Sequence, residues 1–205
     1  GEWMAHKTFA FISDGGIQEE VSQGVGRIAG HLGLHNFIMF YDSNNIQLST
    51  KVDEVSTEDI VAKYEAWGWK VITIDGNNAD EIRQALIEAK AETERPTLII
   101  GHTVMGKGAL AADGSSFENK VSTHGQPLSA AGVSIEETIK NLGGDPQNPF
   151  TIFPEVAELY AKRREELKQI MAERRAAKEA WAKANPEKAE KMANWFANKL
   201  PEIDW

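Results

Sequence analysis

A chain of 205 residues holds one ordinary domain with a core of its own, plus some extra. At 41% hydrophobic and 26% charged it has a globular composition, and its net charge of −9 argues against nucleic acid as a partner. With no cysteine there is no disulfide or thiolate chemistry, and no apolar run nears the ~20 residues of a membrane span.

No leader peptide is legible, so the expected location is the cytoplasm. The chain does not open on methionine and starts just before a core strand, which suggests a fragment, a processed chain or a split subunit. Gly1 to Lys7 reads as the end of a helix whose Trp3 and Met4 need something to pack on. Thr8 to Ile12 (TFAFI) has the β-branched and aromatic make-up of a buried strand. It runs into Ser13-Asp14-Gly15-Gly16. A helix then starts near Ile17, with Ile17, Val21, Val25, Ile28, Ala29 and Leu32 along one face and Glu19 and Glu20 in its first turn. Phe37 to Tyr41 (FIMFY) is the next strand, ending in Asp42-Ser43-Asn44-Asn45-Ile46.

A strand–helix–strand unit of this kind has parallel strands joined by a right-handed crossover. Asp14 and Asn44 then fall side by side at the carboxyl ends of the strands, where open α/β sheets bind ligands. A carboxylate, an amide oxygen and a backbone carbonyl just after Asn44 make a three-oxygen face that suits Mg²⁺. Gly15 and Gly16 allow close backbone approach, and helix N–H groups at this end suit phosphate. The pattern predicts a site for a magnesium-bound diphosphate.

Asp14-Gly15, with about thirty residues to Asn44, resembles the thiamine diphosphate motif, and SDGGIQEE, RIAGHLGL and FYDSNNIQLS are similar to transketolase in particular. The resemblance implies Asp14, Asn44 and the Ile46 carbonyl as Mg²⁺ ligands. It implies Gly15 against the cofactor's diphosphate and Leu48 against its thiazolium. Ser13 replaces the first glycine of the usual Gly-Asp-Gly. Gly24 stands where the family usually has a glutamate linking paired active sites across a dimer, while Glu19 matches the other acidic link.

Downstream, Gln47 to Val55 is a polar connection. Ser56 to Trp67 reads as a helix, with Ser56 and Asp59 as cap and partner, stopped by Gly68. Lys70 to Ile74 is a strand. Asn78 or Asp80 caps a helix with apolar Ile82, Leu86 and Ala89, and Thr97 to Ile100 is a short buried strand. Such alternation means a parallel, helix-covered sheet.

Gly101-His-Thr-Val-Met-Gly106-Lys107-Gly108 is a near miss to the nucleotide-binding loop G-x-x-x-x-G-K-[ST]. Gly108 replaces the Mg²⁺-holding hydroxyl, and ALAADGSS does not read as the required helix, so a helix after Gly108 would decide the matter. In transketolases a similar segment places the residue at Met105 against the cofactor ring. A long loop over 109–122 leads to His124-Gly125-Gln126-Pro127-Leu128, which is similar to the family's His-Gly-Ala-Pro-Leu. The resemblance gives His124 contact with the diphosphate and a part in handling substrate, and a histidine donates to anions and moves protons near neutral pH. The other four histidines have no metal-ligand spacing.

Ser134 to Glu137 is a capping box for a short helix to Leu142. A long, charged helix from Glu155 to about Ala184 and a second to about Leu200 follow, broken at Asn185-Pro186. The division is thus a diphosphate- and Mg-binding α/β domain over 1–150, incomplete at its start, and a helical linker region over 151–205.

The resemblance implies transfer of a two-carbon ketol unit from a ketose phosphate to an aldose phosphate, a step of the pentose phosphate pathway. Mg²⁺ and thiamine diphosphate are the implied cofactors and a homodimer is implied when complete. The match covers only the middle of a transketolase. The family's next domain, which brings the glutamate activating the cofactor's pyrimidine, would come from the rest of the chain or a second subunit, so this chain alone should be inactive. The alternatives are a related enzyme such as deoxyxylulose-phosphate synthase, and a non-catalytic module binding Mg²⁺ and phosphate or a protein partner.

Overall fold

The computed structural model describes residues 2–200. Residues 6–149 form one compact unit, and residues 2–5 with 150–200 form another. In the first unit, four parallel strands make a sheet in the order β1-β2-β4-β3. They are β1 Thr8–Ser13, β2 Phe37–Ser43, β3 Lys70–Asp75 and β4 Thr97–His102. β1 and β2 are neighbours, with Thr8 opposite Phe37 and Ser13 opposite Asp42, so the chain leaves both strands at the same edge of the sheet.

β4 is central, and Thr97 to Gly101 is buried throughout, as an unbroken apolar run between two covered faces should be. On one face, Met39, Tyr41, Leu98 and Ile100 pack with Tyr64 and Trp69. Tyr64 and Trp69 are fully buried and meet edge to face at 5.3 Å. Each contributes roughly 2–3 kcal/mol through removal of its apolar area from water. On the other face Ile38 and Ile99 pack on Ala85 and Ala89 of α4 (Ala79–Ala91).

The connection from β1 differs from the single helix that the spacing predicts. A five-residue helix, α1 (Asp14–Gln18), starts at Asp14 itself, with Ser13 as its cap accepting from the Gly16 N–H. The chain is extended at Glu19 (φ −65°, ψ 135°), and α2 runs Glu20–His31. Glu19 is therefore an exposed hinge residue between two helices, not part of a first turn.

Of the apolar positions on that segment only Ile17 and Ala29 are buried; Val21, Val25, Ile28 and Leu32 are all at least half exposed. α2 meets the core through small residues instead. Its Gly26 lies under the Trp67 ring, 3.0 Å from where a Cβ would stand, and the Gly26 carbonyl accepts from Trp69 Nε1 at 2.7 Å. The wider apolar stripe thus faces outward.

α3 (Ile60–Ala66) is shorter than the predicted 56–67, because Asp59, not Ser56, is its cap, accepting from the Ala62 N–H at 3.0 Å. Asn78 caps α4 through two N–H groups. No helix follows Gly108, which removes the nucleotide-loop reading; the segment instead makes turns and a short bridge between Leu110 and Ser116. Short helices α5 (Leu128–Ala131) and α6 (Ile135–Asn141) close the unit, with the Ser134 side chain capping α6.

The second unit contains α7 (Pro154–Ala184) and α8 (Pro186–Phe196), each starting at a proline. Residues 2–4 form one 3₁₀ turn rather than a helix end. Trp3 packs on Trp181 of α7 at 5.7 Å between ring centroids, so its partner lies within the chain. Among the described residues no helix is long and apolar enough to cross a membrane.

Candidate functional site

The site is built on the shared carboxyl edge of β1 and β2. Because β1 ends at Ser13 opposite Asp42, the next residue, Asp14, turns in against the end of β2. Its carboxylate is 2% exposed. Oδ1 accepts from the Tyr41 hydroxyl at 2.6 Å, and Oδ2 accepts from the Asn44 N–H at 3.0 Å. Asn44 Oδ1 in turn accepts from the Ile46 N–H at 3.0 Å. The three residues predicted as oxygen donors are thus joined by a continuous chain of hydrogen bonds.

Gln18 braces this arrangement. Its Nε2 donates to the Asp14 carbonyl and to Gln47 Oε1, each at 2.8 Å, tying α1 to the loop after β2. That loop is closed by Gln47 and Val52 N–H groups donating to Thr50 and Asn45 carbonyls. It holds Asn45 and Ser49 at positive φ, which an asparagine tolerates more readily than most residues.

The electrostatics of Asp14 are one-sided. Among the described residues no lysine, arginine or histidine lies within ion-pair distance of it. A buried carboxylate held only by a phenol and one amide keeps most of its charge uncompensated, which is costly unless a cation joins it. Burial and the neighbouring carboxylate both push the Tyr41 hydroxyl far above its ordinary pKa, so it stays a donor to Asp14. One carboxylate, one amide oxygen and a carbonyl are a hard-oxygen set that fits Mg²⁺ with open positions for phosphate and water. No group of three histidine or acidic side chains able to hold a metal occurs among the described residues.

Of the remaining candidates, Gly15 adjoins Asp14 in the chain, Leu48 meets the segment after His124, and Met105 shares a cavity with Asn44. Gly15 is followed by open space on the side where a Cβ would stand, so ligand atoms can approach its backbone. Leu48 is 70% exposed, and its Cδ1 lies 3.2 Å from the Cβ position of Gly125, beside His124. Met105 is half-buried and is pinned by Asn119, whose N–H donates to its carbonyl at 2.9 Å and whose side-chain oxygen accepts from its N–H at 3.2 Å. Met105 and Asn44 both line a cavity of about 470 Å³, with Asp42, Thr103 and the apolar sheet face. His124 Nδ1 is buried and has no hydrogen-bond partner in the structure. Such an orphan costs ~1–3 kcal/mol and points to a ligand oxygen or water as its missing partner. Glu19 is apart from these groups, exposed at the hinge between α1 and α2.

Three supporting residues are not legible as site residues in the sequence: Tyr41, Gln18 and Thr103, whose hydroxyl donates to Asp42. A signal exists for Tyr41 alone. It lies three residues before Asn44 on the core-facing alternation of β2, and a buried tyrosine hydroxyl needs a partner.

The family model for the transketolase thiamine diphosphate binding domain matches residues 2–201. The chain is 36% identical over 204 residues to a transketolase of Streptococcus pyogenes, covering 97% of this chain and 26% of the relative. It is 34% identical over 201 residues to a dihydroxyacetone synthase of Pichia angusta, covering 97% and 27%. A Pichia stipitis transketolase solved with sedoheptulose 7-phosphate superposes with a TM-score of 0.83 at 30% identity, covering 96% of this chain and 28% of that one. The transketolase of Leishmania mexicana superposes equally well, with a TM-score of 0.83 at 28% identity, covering 98% and 29%. The chain thus spans somewhat over a quarter of the length of these relatives. The match does not favour a free-standing module that binds only phosphate or a protein partner. The chain belongs to the transketolase thiamine diphosphate binding domain family.

Proposed function

We propose that this chain supplies the metal and diphosphate end of a transketolase active site. The whole enzyme moves a two-carbon ketol unit from a ketose phosphate to an aldose phosphate, as in the pentose phosphate pathway. The buried Asp14 carboxylate, with which no lysine, arginine or histidine pairs among the described residues, is the observation that carries the reading.

Asp14, Asn44 and the Ile46 carbonyl would hold Mg²⁺, with Tyr41 and the Asn44 N–H fixing the carboxylate. Gly15 lets the diphosphate approach the backbone, and Leu48 and Met105 offer apolar walls to the ring that follows it. Thiamine diphosphate, when bound, supplies the electron sink for cleaving the bond next to the donor ketone. His124 donates to anionic oxygens on the diphosphate and substrate side and is placed to move a proton there. Glu19 and the outward apolar stripe of α2 face a partner: the rest of a transketolase, a second subunit, or a second copy in a homodimer. A cytoplasmic location accords with the composition.

The test is ketol transfer by the 205-residue chain, alone and mixed with the remaining domains of a transketolase, with Mg²⁺, thiamine diphosphate, a ketose phosphate and an aldose phosphate. The expected result is turnover in the mixture and none by the chain alone, for want of the pyrimidine-activating acid. Turnover near ~10 s⁻¹ by the chain alone, or none in the mixture, would count against the proposal.

A further inference from the structure

Past the end of β4 the chain enters a glycine-rich turn, Met105-Gly106-Lys107-Gly108, in which Gly106 (φ 64°) and Gly108 (φ 81°) are both left-handed. Such a segment has little conformational preference of its own. Its shape is fixed from outside, by two consecutive residues of the long loop that follows. The Glu118 carboxylate accepts from the Gly108 N–H at 2.7 Å. The Asn119 side-chain oxygen accepts from the Met105 N–H at 3.2 Å, and the Asn119 N–H donates to the Met105 carbonyl at 2.9 Å.

Asn119 makes these bonds from a left-handed backbone, φ 56°, which is unfavourable for a residue with a Cβ. Strain of this kind persists where surrounding contacts over-determine it, here the pair of bonds to Met105. The chain then turns directly towards His124. The Lys120 carbonyl accepts from both the N–H and the hydroxyl of Thr123, at 3.0 and 2.7 Å, and the His124 N–H donates to the Val121 carbonyl at 3.0 Å. Thr123 is buried, and its hydroxyl lies 3.8 Å from where a Cβ on Gly106 would stand. Residues 118–123, with one 3₁₀ turn at Val121–Thr123, thus tie Met105 to His124.

We propose, on the reading of the site given above, that Glu118 and Asn119 form a latch that positions Met105 and His124 for the cofactor. Both are positioning residues, acting through the backbone of the turn. With the latch released, the glycine-rich turn samples other shapes. Cofactor affinity then falls in proportion to the fraction of chains in the competent shape. Bound cofactor selects that shape, so turnover at saturation is kept.

The experiment compares Glu118→Ala and Asn119→Gly with Glu118→Gln and Asn119→Asp. The first pair removes a side-chain acceptor, in Asn119→Gly without opposing the left-handed backbone. The second pair keeps the acceptor. Both residues lie in a loop, so the melting midpoint should move by no more than about 3 °C in any of the four. NMR of the cofactor-free 205-residue chain follows the Met105 methyl and the His124 ring, assigned with Met105→Leu and His124→Gln. Both signals should broaden or split in the first pair and match wild type in the second. In an assembly with the remaining transketolase domains, calorimetry should show Mg²⁺-dependent thiamine diphosphate binding weakened about fivefold or more in the first pair, with turnover at saturating cofactor within about twofold of wild type. Glu118→Ala and Asn119→Gly together should weaken binding by less than the product of their single effects, because either change opens the same latch. Wild-type signals or wild-type affinity in the first pair overturn the latch. So does a loss of turnover matched by a large fall in midpoint, the mark of a structural role. A wild-type assembly that binds no cofactor with Mg²⁺ would sink the reading of Asp14 and the latch with it; equal binding by wild type and all four variants sinks the latch alone.

Discussion

The Tyr41 hydroxyl donates to Oδ1 of Asp14 at 2.6 Å, inside the core, across a separation of 27 residues. It fixes one carboxylate oxygen while the Asn44 N–H fixes the other. The carboxylate can therefore present its remaining lone pairs in one direction only. Tyr41→Phe keeps the ring's packing and removes this restraint. Metal affinity should fall about 10-fold, within the range usual for groups that orient a ligand. Stability should change by about 1 kcal/mol. Calorimetric Mg²⁺ titration in the presence of thiamine diphosphate, with a thermal melt of the same sample, checks both; unchanged affinity would show that Tyr41 only fills space.

His124 presents the opposite case, a buried nitrogen with nothing to bond. Its removal should cost the fold nothing, since an unsatisfied buried group already burdens the folded state. His124→Ala should leave the melting midpoint unchanged or raise it slightly, and should lower turnover of the complete enzyme by ~10²-fold, the usual loss when a donor to a developing anion is removed. A large drop in midpoint with turnover retained would make His124 structural.

Two glycines of α2 should respond in opposite ways to alanine. A Cβ on Gly30 would stand 1.8 Å from the Trp67 carbonyl oxygen, so the helix must move off the core. A loss of more than ~3 kcal/mol is expected, as for other severe core overpacking. A Cβ on Gly24 meets nothing within 4 Å. Gly24→Ala should stabilise by up to ~1 kcal/mol through helix propensity alone. Urea unfolding of the two variants reads the difference, and a tolerated Gly30→Ala would mean that α2 is not seated against Trp67.

Much of this arrangement is legible in the sequence, for local reasons. β2 and β4 are β-branched or aromatic runs bounded by turn residues, and Asn78 and Ser134 are side-chain caps with the expected spacing; β1 is a strand as expected but not a buried one, since it is an edge strand with Phe9 and Phe11 at least half exposed. Asp14 and Asn44 meet because parallel neighbours end at one edge, which follows from the strand–helix–strand order. What the sequence hides depends on distant partners. The break at Glu19 has no proline or glycine to announce it. The outward face of α2 cannot be told from its core face by periodicity, because the residues that pack are Gly26, Ala29 and Gly30, too small to stand out. Trp3 finds Trp181 across 178 residues, and no local pattern carries that contact.

The central claim, that Asp14 carries the protein's charge on a Mg²⁺ ion holding a diphosphate, is tested most directly by one titration. Thiamine diphosphate is titrated into the protein by calorimetry with and without Mg²⁺, for wild type and for Asp14→Ala, in the 205-residue chain and in an assembly with the remaining transketolase domains. Binding that depends on Mg²⁺ in the wild type and is at least tenfold weaker in the variant, a difference of ~1.4 kcal/mol or more, is the predicted result. Affinity within about twofold of wild type, where Mg²⁺-dependent binding is seen, would contradict it.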